Sequence, residues 1–303
     1  MGSKGLTYGN SRSRHCHLVY VSFIPSRHSL SNGSTDLVIS LQAIEGKWPM
    51  ISGKLVKHVT AALLASVVFF ASASISTGAN PNVAILAFGL FGAQSVFESE
   101  AKGAASIMAQ RLDASPVIVR ANTKTRGDVT IASIGDALQA AAERMDRDSD
   151  VIFLILTSHG SQAGVAVQAG KRVEILSPIA LAGMLNRAGV RHRVVIISAC
   201  YSGVFLGPLA NDDTLVITAA DSDHSSFGCQ DKVKWTYFGD AFFNTALRHA
   251  ADLKSAFAMA RTLVSRREKH YGLVASNPQI AGGKNIDILL GEKGGAQATG
   301  HQP

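Results

Sequence analysis

The chain has 303 residues, room for one or two domains, and its 47% hydrophobic and 17% charged content excludes a disordered chain. Its net charge of +7 would suggest an acidic partner, but residues 1–79 hold seven Lys and Arg against two acids. The remaining body, with 22 basic and 20 acidic residues, is near neutral and gives no support to nucleic-acid binding. Three cysteines, Cys16, Cys200 and Cys229, make no disulfide framework, and Cys200 and Cys229 are expected to be free thiols.

Residues 1–49 lack periodicity and read as a non-native leader or an over-extended start. From Met50 a basic stretch leads into the apolar run Val59–Ala71, and Ala71-Ser-Ala73 follows as a cleavage site for small residues. We expect a signal peptide within residues 50–79 and hence an exported protein, periplasmic or secreted. The alternative is an uncleaved tether through residues 59–71, although 13 residues are short of the ~20 that span a bilayer. After the breaker-rich linker Thr77-Gly-Ala-Asn-Pro81, the folded body is expected over residues 80–290.

Strands are expected at Val83–Phe88 and Pro116–Val119, with a helix between them over Val96–Arg111. A second helix is expected over Ser133–Met145, with Ser133 as its cap and Ile134, Leu138 and Ala142 on one face. Two β-branched runs follow, Val151–Leu156 and Val194–Ile197, with a helix over Pro178–Ala188 between them. Such continuous apolar runs are the mark of parallel strands buried on both faces. Leu215–Thr218 reads as another strand, Phe238–His249 and Ser255–Glu268 as amphipathic helices. Ile286–Leu290 reads as a final edge strand, and residues 291–303 as a flexible tail. Alternating strands and helices give an α/β sandwich with a mostly parallel sheet.

Both apolar runs end in reactive chemistry. The first runs into Thr157-Ser-His-Gly160, the second into Ser198-Ala-Cys-Tyr-Ser-Gly203. Sites in open α/β sheets form beyond the carboxyl ends of the strands, so His159 and Cys200 would face one crevice. Each has an ordinary reading on its own: a cysteine is often a small core residue, and a histidine after a strand often caps. Together, each followed by a glycine that lets backbone approach a ligand, they indicate a cysteine nucleophile with an acid–base partner.

The blocks Ser158-His-Gly160 and Ala199-Cys-Tyr-Ser-Gly203, each after an apolar strand, resemble the legumain family of cysteine peptidases, peptidase family C13, and its caspase-like relatives. Leu215–Asp221, Ser225-Ser-Phe-Gly-Cys229 and Thr236-Tyr-Phe-Gly-Asp240 continue the likeness in the same order, so that it spans roughly residues 82–290. The resemblance implies a caspase-like three-layer sandwich with helices on both faces of the sheet. It also implies the short, bacterial-type form, without the carboxyl-terminal prodomain of the eukaryotic members. Cys200 would be the nucleophile, and His159 the general base or the acid that protonates the leaving amine. The N–H groups of Gly160 and Cys200 would hold the oxyanion.

A polar pocket for the side chain before the scissile bond is implied too. Ser226 and Asp240 match two of its groups. Ser198 stands where the family carries an acid, and the loop Gly89–Gln94 has neither the arginine nor the asparagine of the family pattern. A turn at Ser225–Ser226 and a helix cap at Asp240 are the plainer readings of those residues. The chemistry calls for no metal and no cofactor, and the partner would be a polypeptide substrate. Two other readings compete: a non-catalytic envelope module that keeps the fold for binding or assembly, and a thiol hydrolase that does not act on peptides. A transpeptidase would share the acyl-enzyme chemistry.

Overall fold

A computed structural model of the chain describes residues 81–297. The leader, the run Val59–Ala71 and Cys16 lie outside the described residues. The strand runs of the sequence become β1 (Val83–Gly89), β2 (Val117–Ala121), β3 (Val151–Thr157), β7 (His192–Ser198) and β8 (Thr214–Thr218). They form a sheet in the order β2-β1-β3-β7-β8, all parallel, and β9 (Gln279–Gly282) closes it antiparallel to β8.

Every residue of β1, β3 and β8 is buried, because helices cover both faces. Val83, Ile85 and Ala87 pack with α1 (Ser95–Leu112), with α4 (Leu253–His270) and with Phe238, Phe242 and Phe243. Ala84, Leu86 and Phe88 pack on the opposite face with α2 (Ile131–Ala142) and α3 (Pro178–Ala188). The period-two alternation of a strand thus feeds two separate cores, and the three-layer α/β sandwich follows.

The helix ends obey local chemistry. α3 runs over the expected residues: the Ser177 side chain accepts from the Ala180 N–H, Pro178 sits in the first turn, and Gly189 stops the helix at φ 74°. At α2 the cap is Thr130 and not Ser133. The two form a reciprocal capping box in which Ser133 returns a bond to the Thr130 N–H.

Two expectations are corrected and two elements are added. Ile286–Leu290 lies in a helix, α5 (Lys284–Gln297), which runs on into the expected tail. Ile286 is buried, and Leu289 and Leu290 pack partly buried on the same core. That is the three- and four-residue spacing of a helix face, not the alternation of a strand. The edge strand is β9, which the sequence reading missed. Phe238–His249 is not a regular helix: a turn at Tyr237–Gly239 passes into a π-helical stretch at Asp240–Thr245 and a 3₁₀ turn at Ala246–Arg248. The wider π turn lets Phe238, Phe242 and the adjacent Phe243 all reach the core. Finally, a small antiparallel sheet of β4 (Gly160–Ser161), β5 (Gly164–Ala169) and β6 (Arg172–Leu176) fills the segment after His159.

Candidate active site

The sheet register sets His159 and Cys200 side by side. Thr157 pairs with Ser198 at the end of the β3–β7 ladder, and the Ser158 N–H donates to the Ser198 carbonyl at 3.1 Å. His159 and Cys200 each lie two residues beyond that last pair. At Gly160 an added Cβ would overlap the Cys200 carbonyl oxygen and press on the Ala199 methyl, so only glycine admits this approach of the two chains. Tyr201 then turns at φ 54°, a left-handed conformation unusual for a residue with a side chain. Its N–H is held by the His224 carbonyl at 2.9 Å. The cysteine turn is therefore fixed from both strands and from the loop beyond β8.

Cys200 is partly buried, and the loop Ser225–Cys229 encloses it. The Ser226 N–H points at Sγ at 3.3 Å, and the Ser226 carbonyl lies 3.4 Å from it. The Cys229 side chain meets Sγ as well, and this contact, then the Ser226 N–H and Ser225, brings the Cys200 thiol down to about 6 against the opposing effect of burial. Cys229 moves the other way, pushed up by the same contact and by its own burial, so the proton of the pair stays on Cys229. Both are free thiols.

His159 is half-buried between aromatic rings. Phe91 and Phe97 meet it edge-on, with centroids at 4.7 and 5.1 Å. Burial lowers its pKa, so the ring is neutral at neutral pH. Its Nε2 is bonded to Gln94 Oε1. An amide oxygen can only accept, so Nε2 carries the proton and Nδ1 is left as the basic nitrogen. Gln94 stands at the amino-terminal cap of α1 but makes no capping bond with its side chain, which leaves its amide for the histidine. On the other side, the Ser158 hydroxyl donates to the Ala166 carbonyl, and the Ala166 N–H donates to the His159 carbonyl at 2.9 Å. The small sheet thus anchors the histidine turn.

The other expected residues fall nearby but are engaged within the protein. Ser198 is buried, and its hydroxyl shares a hydrogen bond with Thr236 Oγ1 at 3.1 Å. Ser226 acts on Cys200 through its backbone, as above. Asp240 caps no helix, since Thr236 takes that place by accepting from the Gly239 N–H. The Asp240 carboxylate accepts from Arg267 at 2.7 Å and from Asn244 at 2.9 Å, and the Arg267 guanidinium stacks 5.0 Å from the Tyr237 ring centre. Asp221, in the loop beyond β8, ties His224 at 2.8 Å and Asn277 at 3.0 Å beside the site.

Two residues were missed from sequence. Gln94 was counted only as the end of a loop without the family's polar residues, and Glu100 only as part of a helix. Glu100 falls among Phe97, Ala101 and Ala104 on the buried face of α1, and an acid on an apolar helix face is the signal that could have found it. Among the described residues, no group of three or more His, Cys, Asp or Glu side chains could hold a metal ion. No helix among them is long and apolar enough to cross a membrane. A cavity of about 1110 Å³ opens at the opposite, amino-terminal end of the sheet, between Asn82, Arg111, Asp252 and Ile286, away from Cys200.

Comparison with known proteins gives three findings. No curated protein matches the chain. The solved structure of caspase-1 from Spodoptera frugiperda is similar over 68% of this chain and 87% of its own, with 15% identity and a TM-score of 0.48. The model of the Peptidase C13 family matches residues 133–282. That span holds the histidine turn, the cysteine turn and the loop that encloses the thiol, and it belongs to the Peptidase C13 family of cysteine peptidases.

Proposed function

We propose that the protein is an exported cysteine endopeptidase that cleaves peptide bonds through Cys200 and His159. One observation carries this reading: His159 and Cys200 each stand two residues past the same paired position of adjacent strands, beside a thiol drawn down to about 6. A thiol with that pKa is mostly thiolate at neutral pH and needs no imidazolium to ionise it.

In the first half of the reaction the Cys200 thiolate attacks the carbonyl carbon, and the oxyanion is held by the N–H groups of Gly160 and Cys200. His159, neutral at the start, takes up a proton from solvent water at Nδ1 while Gln94 holds Nε2–H. As the C–N bond breaks, that proton passes from Nδ1 to the leaving amine. The acyl group remains on Cys200 as a thioester. In the second half His159 removes a proton from water, which attacks the thioester and releases Cys200. An amine in place of that water would give ligation.

The residue before the cut is proposed to be Asn, Asp or another polar side chain, with Ser226 and Asp240 at the pocket and the buried Ser198 acting through Thr236. Export rests on the basic and apolar stretch before residue 80. Both the full chain and its Cys200→Ala variant should be incubated with a mixed peptide library and their products read by mass spectrometry. Cleavage or ligation products that vanish in the variant, all with a polar residue before the cut, are expected. Equal products from both proteins would sink the cysteine mechanism. No products from a folded wild-type chain would favour the non-catalytic module.

A further inference from the structure

Glu100 has no exposure to solvent. An unpartnered buried carboxylate costs several kcal/mol, so its retention on an apolar helix face asks what surrounds it. Two segments donate to it and a third is linked to it. The Thr157 hydroxyl reaches Oε1 at 2.9 Å and the Thr236 N–H reaches Oε2 at 2.7 Å. The Ser198 hydroxyl, bonded to Thr236 Oγ1 at 3.1 Å, helps to hold the pKa of the same carboxyl down against burial. Gly239 leaves the space that Oε2 occupies, since a Cβ there would overlap it.

Each of the three leads directly into the site. Thr157 is two residues before His159, and Ser198 is two residues before Cys200. Thr236 begins the turn whose next residue, Tyr237, donates its N–H to Phe227 at 3.0 Å, within the loop that encloses the Cys200 sulfur. One buried carboxyl therefore ties together the three segments that must agree for the reaction to proceed.

We infer that Glu100 is a positioning residue of the peptidase site, which fixes the ends of β3 and β7 and the Thr236 turn relative to one another and so sets the placement of His159 against Cys200. The inference rests on the peptidase reading above. A carboxyl that merely filled the core would be replaceable by a neutral group of the same shape without loss of turnover in the folded protein. A positioning carboxyl would not be.

The test compares Glu100→Gln, Thr157→Val and the double variant with wild type, using a peptide cut in the library experiment and counting competent sites by titration with a peptidyl electrophile. Displacement of reacting groups by about 1 Å costs on the order of 10²-fold in rate. Each single variant should therefore lower kcat per titrated site by about 10–100-fold, with KM little changed. The double variant should lose no more than Glu100→Gln alone, because both act through one hydrogen bond. Unchanged kcat in Glu100→Gln, or losses that simply add, would overturn the inference. Should Glu100→Gln fail to fold, Thr157→Val decides, and unchanged kcat in it would overturn the inference too. A wild-type chain without Cys200-dependent turnover would overturn the peptidase reading, and this inference with it. A turning-over wild type with indifferent variants would overturn this inference alone.

Discussion

Replacing Cys229 by alanine removes the contact that contributes most to the low pKa of Cys200. With a pKa of about 6, the Cys200 thiol is about nine-tenths ionised at pH 7; at its ordinary value of 9.0 it would be about one-hundredth ionised. The Ser226 N–H and Ser225 remain in the variant, so the expected pKa lies between these limits. Thiolate at pH 7 should accordingly fall by a factor between about 2, for a rise of one unit, and about 90, for loss of the whole shift. A more basic thiolate is intrinsically more nucleophilic and offsets part of a raw rate loss, so the midpoint of the pH profile is the cleaner quantity. The assay is the rate of alkylation by iodoacetamide between pH 4 and 10, with the modified residue located by peptide mapping. The wild-type rate should rise through a midpoint near 6, and that of Cys229→Ala should rise at least about one unit higher. An unchanged midpoint in the variant, or a wild-type midpoint near 9, would refute the reasoning.

Removing the histidine should separate the two functions of the site: His159→Ala should lower kcat by about 10²–10⁴-fold. It should leave the alkylation midpoint near 6, because Cys229 and Ser226 and not an imidazolium set it; a midpoint that rises by more than a unit would contradict this. Gln94→Leu frees the imidazole tautomer and should cost about 10–100-fold in kcat, as loss of an orienting partner does elsewhere, with thermal stability unaltered. Gly160→Ala forces a methyl onto the Cys200 carbonyl; unfolding should become easier by about 1–3 kcal/mol, read in denaturant, and peptide turnover should be lost.

What could be read from sequence was what local signals encode. The parallel strands were visible because burial on both faces leaves continuous apolar runs, and α3 because Ser177, Pro178 and Gly189 mark its ends within a few residues. His159 and Cys200 were visible because strand ends are where such a sheet gathers chemistry, and the register then set them level. The missing parts depend on distant partners. β9 becomes a strand only by lying against β8, and Ile286–Leu290 is helical because Gly282 and Gly283, both at φ 76°, turn the chain onto the core. The π stretch at Asp240–Thr245 answers to the packing of three phenylalanines. Gln94 and Glu100 gain their significance from side chains 65 and 57 residues away, His159 and Thr157, and no spacing rule announces such pairs. Asp240, matched by motif, is bound to Arg267, a partner that its own motif does not contain.

The central claim is that Cys200 forms a covalent intermediate with the substrate, and the most direct measurement is to trap it. The full chain should be mixed with a peptidyl electrophile derived from a cleaved sequence, and the adduct mapped by mass spectrometry. The account predicts one adduct, on Cys200, formed at a rate that falls in His159→Ala and absent in Cys200→Ala. An adduct on Cys229 instead, or peptide cleavage that persists while Cys200 remains unmodified, would contradict it.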